Sequence, residues 1–256
     1  MSLVFENVGK RYPDGTVALA DISFEVPAGQ FCVILGRSGA GKSTLLRCVN
    51  GLASPSEGGV LVDGIAVGPA SLRQLRPRIG MIHQSFNLVS RASVATNVIA
   101  GALPAVSTAR AMLGLFPKAL RNKACDLIAD VGLGEEHLGR RVAALSGGQQ
   151  QRVGIARAFM LDPAYVLADE PVASLDPQTS ADILALIERE AKGRGAAVLC
   201  SLHQIDLAMR FADRIIALRD GRIVFDGAPD ALAESRLGGI YETIRPEASQ
   251  HRQVAA

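Results

Sequence analysis

The apolar run Phe31-Cys-Val-Ile-Leu35 leads directly into Gly36-Arg-Ser-Gly-Ala-Gly41-Lys42-Ser43-Thr44, and a helix-forming stretch, Leu45-Leu-Arg-Cys-Val-Asn50, follows at once. This order leaves the chain few choices. An uninterrupted apolar strand is one covered on both faces, hence central in a mostly parallel sheet. A glycine-rich turn between such a strand and a helix curls backbone N–H groups towards one point, where the helix N-terminus adds its positive end. The spacing G-x-x-x-x-G-K-S then supplies an ammonium and a hydroxyl to the same point. Gly36, Ser38, Gly39, Ala40, Gly41, Lys42, Ser43 and Thr44 are therefore read as a phosphate cradle. In it Lys42 meets the β- and γ-phosphates of a nucleoside triphosphate, and the Ser43 hydroxyl is a ligand for Mg²⁺.

The rest of the chain supports an α/β fold. Leu3–Val8 and Ile22–Val26 alternate as half-buried strands, and Pro13-Asp14-Gly15 makes a turn between them. Residues 85–161 read as mostly helical; Lys118–Val131 places Leu120, Ala124, Leu127, Ile128 and Val131 at helical spacing. Strand and helix alternate again afterwards: Tyr165–Asp169, a helix over Ala181–Lys192, the strand of Ala196–Ser201, a helix from about Gln204, and paired strands in Arg214–Leu218 and Arg222–Asp226. One domain over 1–246 is expected, with its core in 1–84 and 162–246 and a helical lobe in 85–161; the tail 247–256 is expected to fray.

Composition narrows the function classes. Hydrophobic residues make up 48% and charged residues 20%, as in a folded globular chain. A net charge of +2, no tryptophan and 4% aromatic residues argue against a nucleic-acid partner. Cys32, Cys48, Cys125 and Cys200 form no C-x-x-C pair and are read as small buried hydrophobes in a reducing compartment. No signal-peptide pattern opens the sequence. Between Arg91 and Arg110 there is no charge, but Ser93, Thr96, Asn97, Gly101, Pro104, Ser107 and Thr108 make the stretch too polar and broken for a lipid-facing helix. It is read as a loop plus an amphipathic helix, so any membrane role must come through a partner.

The strand Tyr165-Val-Leu-Ala ends in Asp169 and Glu170. The carboxyl end of a parallel strand is where ligands gather. Asp169 is placed to hold the Mg²⁺ shell, and Glu170 to orient and polarise an attacking water. An acid poised for water argues for hydrolysis rather than transfer to an acceptor. Further along, Leu145-Ser146-Gly147-Gly148-Gln149-Gln150-Gln151-Arg152 opens a helix. Ser146 and Gln149 fit a capping box. Two glycines in the first turn are poor helix formers, and make sense where bare N–H groups must approach an anion. A second anion-binding helix start for one nucleotide suggests two subunits holding the γ-phosphate from both sides.

With these residues in view, the chain resembles the ATP-binding subunits of ABC transporters, for which L-S-G-G-Q is the signature. The resemblance implies a P-loop core with a mixed, RecA-like sheet, an antiparallel β subdomain and an inserted helical subdomain. It implies ATP and Mg²⁺ as cofactors, and Tyr12 as the ring that stacks on adenine. Gln84 would contact Mg²⁺ and water and sense the membrane subunit; Ser174-Leu175-Asp176 would cross the dimer interface; His203 would contact the γ-phosphate. It further implies a head-to-tail dimer, permease subunits with Phe86, Leu88 and Val89 as a candidate docking set, an external solute-binding protein, and a location on the cytoplasmic face of the inner membrane. Gln84–Arg91, the triple glutamine and Glu170-Pro-Val-Ala-Ser-Leu-Asp-Pro177 are similar to the phosphonate-import subfamily. Phosphonates or related phosphorus oxyanions are then the implied cargo, with another small solute such as an amino acid, or a non-transport role, as alternatives.

Overall fold

The computed structural model describes residues 1–232. The last part of the expected domain, 233–246, and the expected frayed tail lie outside the described residues.

The chain opens with β1 (Ser2–Arg11) and β2 (Val17–Pro27), an antiparallel pair joined through the Pro13-Asp14-Gly15 turn. Both strands are longer than the sequence pattern marks, because β-bulges shift the register between Phe5 and Arg11 and interrupt the alternation. β3 (Phe31–Leu35) follows, then α1 (Lys42–Val49), β4 (Glu57–Val62) and the short β5 (Ile65–Ala66). β4 pairs with β1, so β2-β1-β4-β5 form one four-stranded antiparallel sheet. Phe5 and Phe24 face each other in it with ring centroids 4.3 Å apart.

After α2 (Leu72–Leu75) and β6 (Ile79–Ile82) come four helices in succession: α3 (Val94–Ile99), α4 (Thr108–Met112), α5 (Lys118–Asp130) and α6 (Gly147–Ala158). The chain then returns to β7 (Tyr165–Asp169), α7 (Pro177–Lys192), β8 (Ala197–Leu202), α8 (Ile205–Phe211), β9 (Arg214–Arg219) and β10 (Arg222–Gly227). These strands make a second sheet of order β10-β9-β3-β8-β7-β6, parallel except at the β9–β10 hairpin. The mixed sheet, antiparallel sheet and helices give the architecture expected from the sequence.

Period-two alternation divides the central strands between two cores. Val33, Leu35, Val166, Ala168, Val198 and Cys200 point into a core shared with α3, α5, α6, α7 and α8. Ile34, Leu167, Leu199 and Ile216 point the other way, into a core shared with α1 and the antiparallel sheet. Burial on both faces is why these segments read as continuous apolar runs. The order of elements puts the carboxyl ends of β3, β7 and β8 side by side, and that row positions the site.

Three readings of the sequence change here. Cys32, Cys48 and Cys200 are buried, and burial pushes the Cys32 thiol up to about 12 and that of Cys48 to about 11. Cys125, however, is exposed on α5. Residues 91–110 hold no single amphipathic helix: α3 runs six residues and passes into a 3₁₀ turn over Ala100–Ala105, interrupted by Pro104. Of the apolar set after Gln84, Leu88 packs on the core and Phe86 is half-buried, while Val89 is exposed. Among the described residues no helix is long and apolar enough to cross a membrane.

Candidate functional site

The turn after β3 is shaped by glycine where only glycine fits. Gly41, the residue before α1, has φ 102°, and a Cβ there would lie 2.4 Å from the Ala18 carbonyl oxygen. A side chain at this point would push the turn away from the start of β2. The backbone therefore closes over the N-terminus of α1, where Lys42 is buried and donates from Nζ to the carbonyls of Gly36 (2.8 Å) and Arg37 (3.1 Å). The Arg37 residue itself is exposed.

Two acids from the end of β7 meet this turn. Glu170 Oε1 lies 3.1 Å from Lys42 Nζ. Asp169 Oδ1 accepts from the Ser43 hydroxyl at 2.8 Å. The same Asp169 oxygen accepts from the Ser201 hydroxyl at 3.0 Å, and Ser201 Oγ in turn accepts from the Glu170 backbone N–H at 2.9 Å. Ser201 is fully buried at the end of β8. It fixes both acids: one through its carboxylate, the other through its backbone. That hold matters because Glu170 is in the left-handed region, φ 45°, which costs a non-glycine residue on the order of 1–2 kcal/mol. Such a conformation persists where its surroundings over-determine it.

A cleft of about 350 Å³ opens over these groups, lined by Thr16–Ala18, Ser38, Gly39, Gly41–Thr44, Gln84 and Glu170. Gln84 is exposed and reaches it from the loop after β6. Tyr12 flanks it, with its hydroxyl 3.3 Å from Thr44 Oγ1 and the Lys10 ammonium 5.3 Å from its ring centroid. His203 is exposed after β8, with Nδ1 4.0 Å from Glu170 Oε2. The cradle, both acids, Gln84, Tyr12 and His203 thus share one neighbourhood. Backbone N–H groups, one ammonium and a hydroxyl–carboxylate pair suit a polyphosphate carrying a hard cation. Among the described residues no three or more His, Cys, Asp or Glu gather as a metal cage. Mg²⁺ needs only one or two protein ligands when phosphates and water complete its shell, so Ser43 and Asp169 fit it.

The signature segment lies elsewhere. Ser146 Oγ accepts from the Gln149 N–H at 3.3 Å, and Gln149 Oε1 accepts from the Ser146 N–H at 3.0 Å, so the capping box is formed. Gln149 Nε2 lies 3.3 Å from His137 Nε2. Ser146 and Gly147 are exposed, and a Cβ on Gly148 would stand 3.1 Å from Thr179 Cγ2 on α7. Asp176 caps α7, accepting from the Thr179 N–H at 3.0 Å, and the hydrogen bonds from Thr179 hold its carboxyl below the usual range. Neither Ser146–Gln149 nor Asp176 lines the cleft of its own chain.

Ser201 escaped the reading of the sequence. Its signal was present: it is the one hydroxyl in the buried run Ala197–Leu202, two residues before His203.

Comparison with known proteins agrees with this geometry. The ABC transporter family model matches residues 19–173. The chain is 54% identical over 231 residues to the phosphonates import ATP-binding protein PhnC of Hyphomonas neptunium, covering 90% of this chain and 88% of that one. It is 50% identical over 240 residues to the protein of the same name in Hydrogenovibrio crunogenus, with 94% and 88% covered. Among solved structures it superimposes on cbiO1 of Clostridium perfringens, part of the ABC transporter complex cbiONQ, with TM-score 0.79, 31% identity and 92% of both chains covered. The ATP-binding cassette MJ0796, a dimer in a post-hydrolysis state with ADP and Pi, gives TM-score 0.76 at 32% identity, with 89% and 98% covered. A strand-cradle-helix opening, paired acids behind β7, a capped signature helix and these relatives converge: the chain belongs to the ABC transporter family, as one of its ATP-binding cassettes.

Proposed function

We propose that the chain is the ATP-hydrolysing subunit of an importer for phosphonates or related phosphorus oxyanions. It works as a head-to-tail pair, bound through permease subunits to the cytoplasmic face of the inner membrane, with a solute-binding protein delivering cargo from outside. The observation that carries this reading is the separation of two anion-binding helix starts. The cradle at α1 is built into the cleft with Glu170, whereas the Ser146–Gly148 start, exposed at Ser146 and Gly147, has no part in its lining. A second copy can bring that start, with Gln149 and Asp176, against the phosphates held by the first.

In such a pair Tyr12 stacks on adenine while the cradle N–H groups and Lys42 bind the phosphates. Lys42 exchanges Glu170 for phosphate oxygens, which releases the Glu170 carboxylate to accept a hydrogen bond from water at the γ-phosphate. Ser43, Asp169 and Gln84 would hold Mg²⁺, which supplies charge neutralisation on the β- and γ-oxygens. His203, beside Glu170, donates to the γ-phosphate. Ser201 keeps both acids in register throughout. The cargo follows from kinship, since no residue of this site touches solute. The permease docks in the groove of about 340 Å³ between β6, the 3₁₀ turn and the end of α6, where Met81, His83, Leu103 and Arg157 line the walls.

Glu170→Gln with ATP and Mg²⁺ is expected to give a stable dimer by light scattering, with hydrolysis nearly abolished; a monomer would overturn the paired mechanism. Cells lacking the gene are expected to lose phosphonate or phosphite uptake. Intact uptake of both beside lost amino-acid uptake would overturn the cargo.

A further inference from the structure

The turn that follows Gln84 has a costly backbone. Phe86 and Asn87 both occupy the left-handed region, with φ 57° and 49°. Asparagine enters it readily, but phenylalanine does not, and two such residues in succession need an external hold. Arg157, in the last turn of α6, supplies it: Nη1 donates to the Asn87 carbonyl at 2.6 Å and Nη2 to the Phe86 carbonyl at 2.9 Å. A planar guanidinium can serve two successive carbonyls at once, a fork that a lysine ammonium cannot reproduce.

The same helix approaches the turn closely along its length. Gly147, Gln151 and Gly154 follow one another at i, i+4 and i+7, on one face of α6. A Cβ on Gly147 would lie 3.9 Å from Phe86 Cζ, and one on Gly154 3.9 Å from the Phe86 carbonyl. Gln151, between them, is fully buried with neither amide atom hydrogen-bonded. Among the described residues, the seam between α6 and the turn therefore carries the Arg157 fork and one buried amide without a partner.

We propose that Arg157 is a positioning residue for Gln84. It ties the turn that follows Gln84 to the helix whose N-terminus is the signature, and so sets where Gln84 stands over the cleft. This rests on the role given to Gln84 above.

The test is a double-mutant cycle of Gln84→Ala and Arg157→Ala, measured by steady-state hydrolysis with Mg²⁺ titrated, and by binding of a fluorescent ATP analogue in EDTA. Arg157→Ala is expected to lower kcat and raise the Mg²⁺ needed for half-maximal rate by about 10–100-fold, as loss of an outer support of a metal ligand does. Binding in EDTA should change by less than about twofold, and the double variant should be no slower than Gln84→Ala within about twofold. Arg157→Lys, which keeps the charge without the fork, should behave as Arg157→Ala, and decides the matter should the alanine variant fail to fold. Independent, multiplicative losses overturn the inference while leaving the role of Gln84 standing, and so does full activity of Arg157→Lys. A Gln84→Ala variant as fast as the wild type overturns both the inference and that role.

Discussion

Lys42 Nζ stands 3.1 Å from Glu170 Oε1, with the lysine side chain 4% and the glutamate 19% exposed. The same ammonium is shared by the carbonyls of Gly36 and Arg37. One buried cation thus organises the turn, the candidate general base and the phosphate position. Lys42→Ala removes it from all three. Hydrolysis should fall on the order of 100–1,000-fold, the usual cost of losing one aimed electrostatic donor. ATPase assays at saturating ATP check this, and a loss below tenfold would contradict the assignment.

Ser201→Ala tests the support beneath the two acids. The substitution takes one donor from Asp169, in a buried bond, and the acceptor from the Glu170 N–H, in a part-buried one. Stability should drop by about 1–3 kcal/mol, the cost of a buried group left unsatisfied. The Mg²⁺ requirement should rise as well, because Asp169 loses one of the two hydroxyls that orient it. Urea unfolding and Mg²⁺ titration of the ATPase read the two effects separately.

Ser146→Ala removes the acceptor of the signature cap. A lost cap of this kind costs about 1 kcal/mol of helix stability. Nucleotide binding to the isolated chain should survive, since Ser146 does not line the cleft. ATP-driven pairing in the Glu170→Gln background should fail. Light scattering and equilibrium binding on the same preparation distinguish the outcomes.

Glu190 joins helices far from the nucleotide. Nearly buried at the end of α7, it accepts from Arg194 Nη1 at 2.7 Å and from Arg189 Nε and Nη2 at 3.1 and 2.9 Å. Arg189 also donates to the Asp130 carbonyl at the end of α5, and Arg194 lies over the Phe159 ring. Glu190→Ala should lower Tm by several degrees, at about 2–4 °C per kcal/mol for a domain of this size. Both arginines keep some solvent contact, so the loss should stay below that of stranding a fully buried charge. ATPase activity at 25 °C should remain near wild type.

Asp176 gives a pH effect of known sign. Its carboxyl titrates below the usual range because it accepts from Thr179 at the start of α7. The cap therefore contributes in full above the unfolded carboxylate range and is lost as pH falls through the folded value. Asp176→Asn should flatten that acid limb in thermal melts while leaving neutral-pH stability close to wild type.

Sequence order alone determined much of this protein. An apolar strand running into G-x-x-x-x-G-K-S can be satisfied only by a cradle at the end of a central strand, and two acids behind a buried strand can lie only at the same edge. Local chemistry also determined the Ser146–Gln149 capping box, because its partners are three residues apart. Tertiary structure decided what depends on distant chain segments. Ser201 and Asp169 are 32 residues apart in the chain, Arg157 and Phe86 71, and no periodicity couples them. The exposure of Cys125 was likewise settled by packing, because the side of α5 that carries it lacks a neighbour. The two anion-binding helix starts were both legible in the sequence. Only the fold shows that one chain keeps them apart: its sheet carries the first into the cleft at the end of β3, while the second, at the start of α6, has no part in lining that cleft.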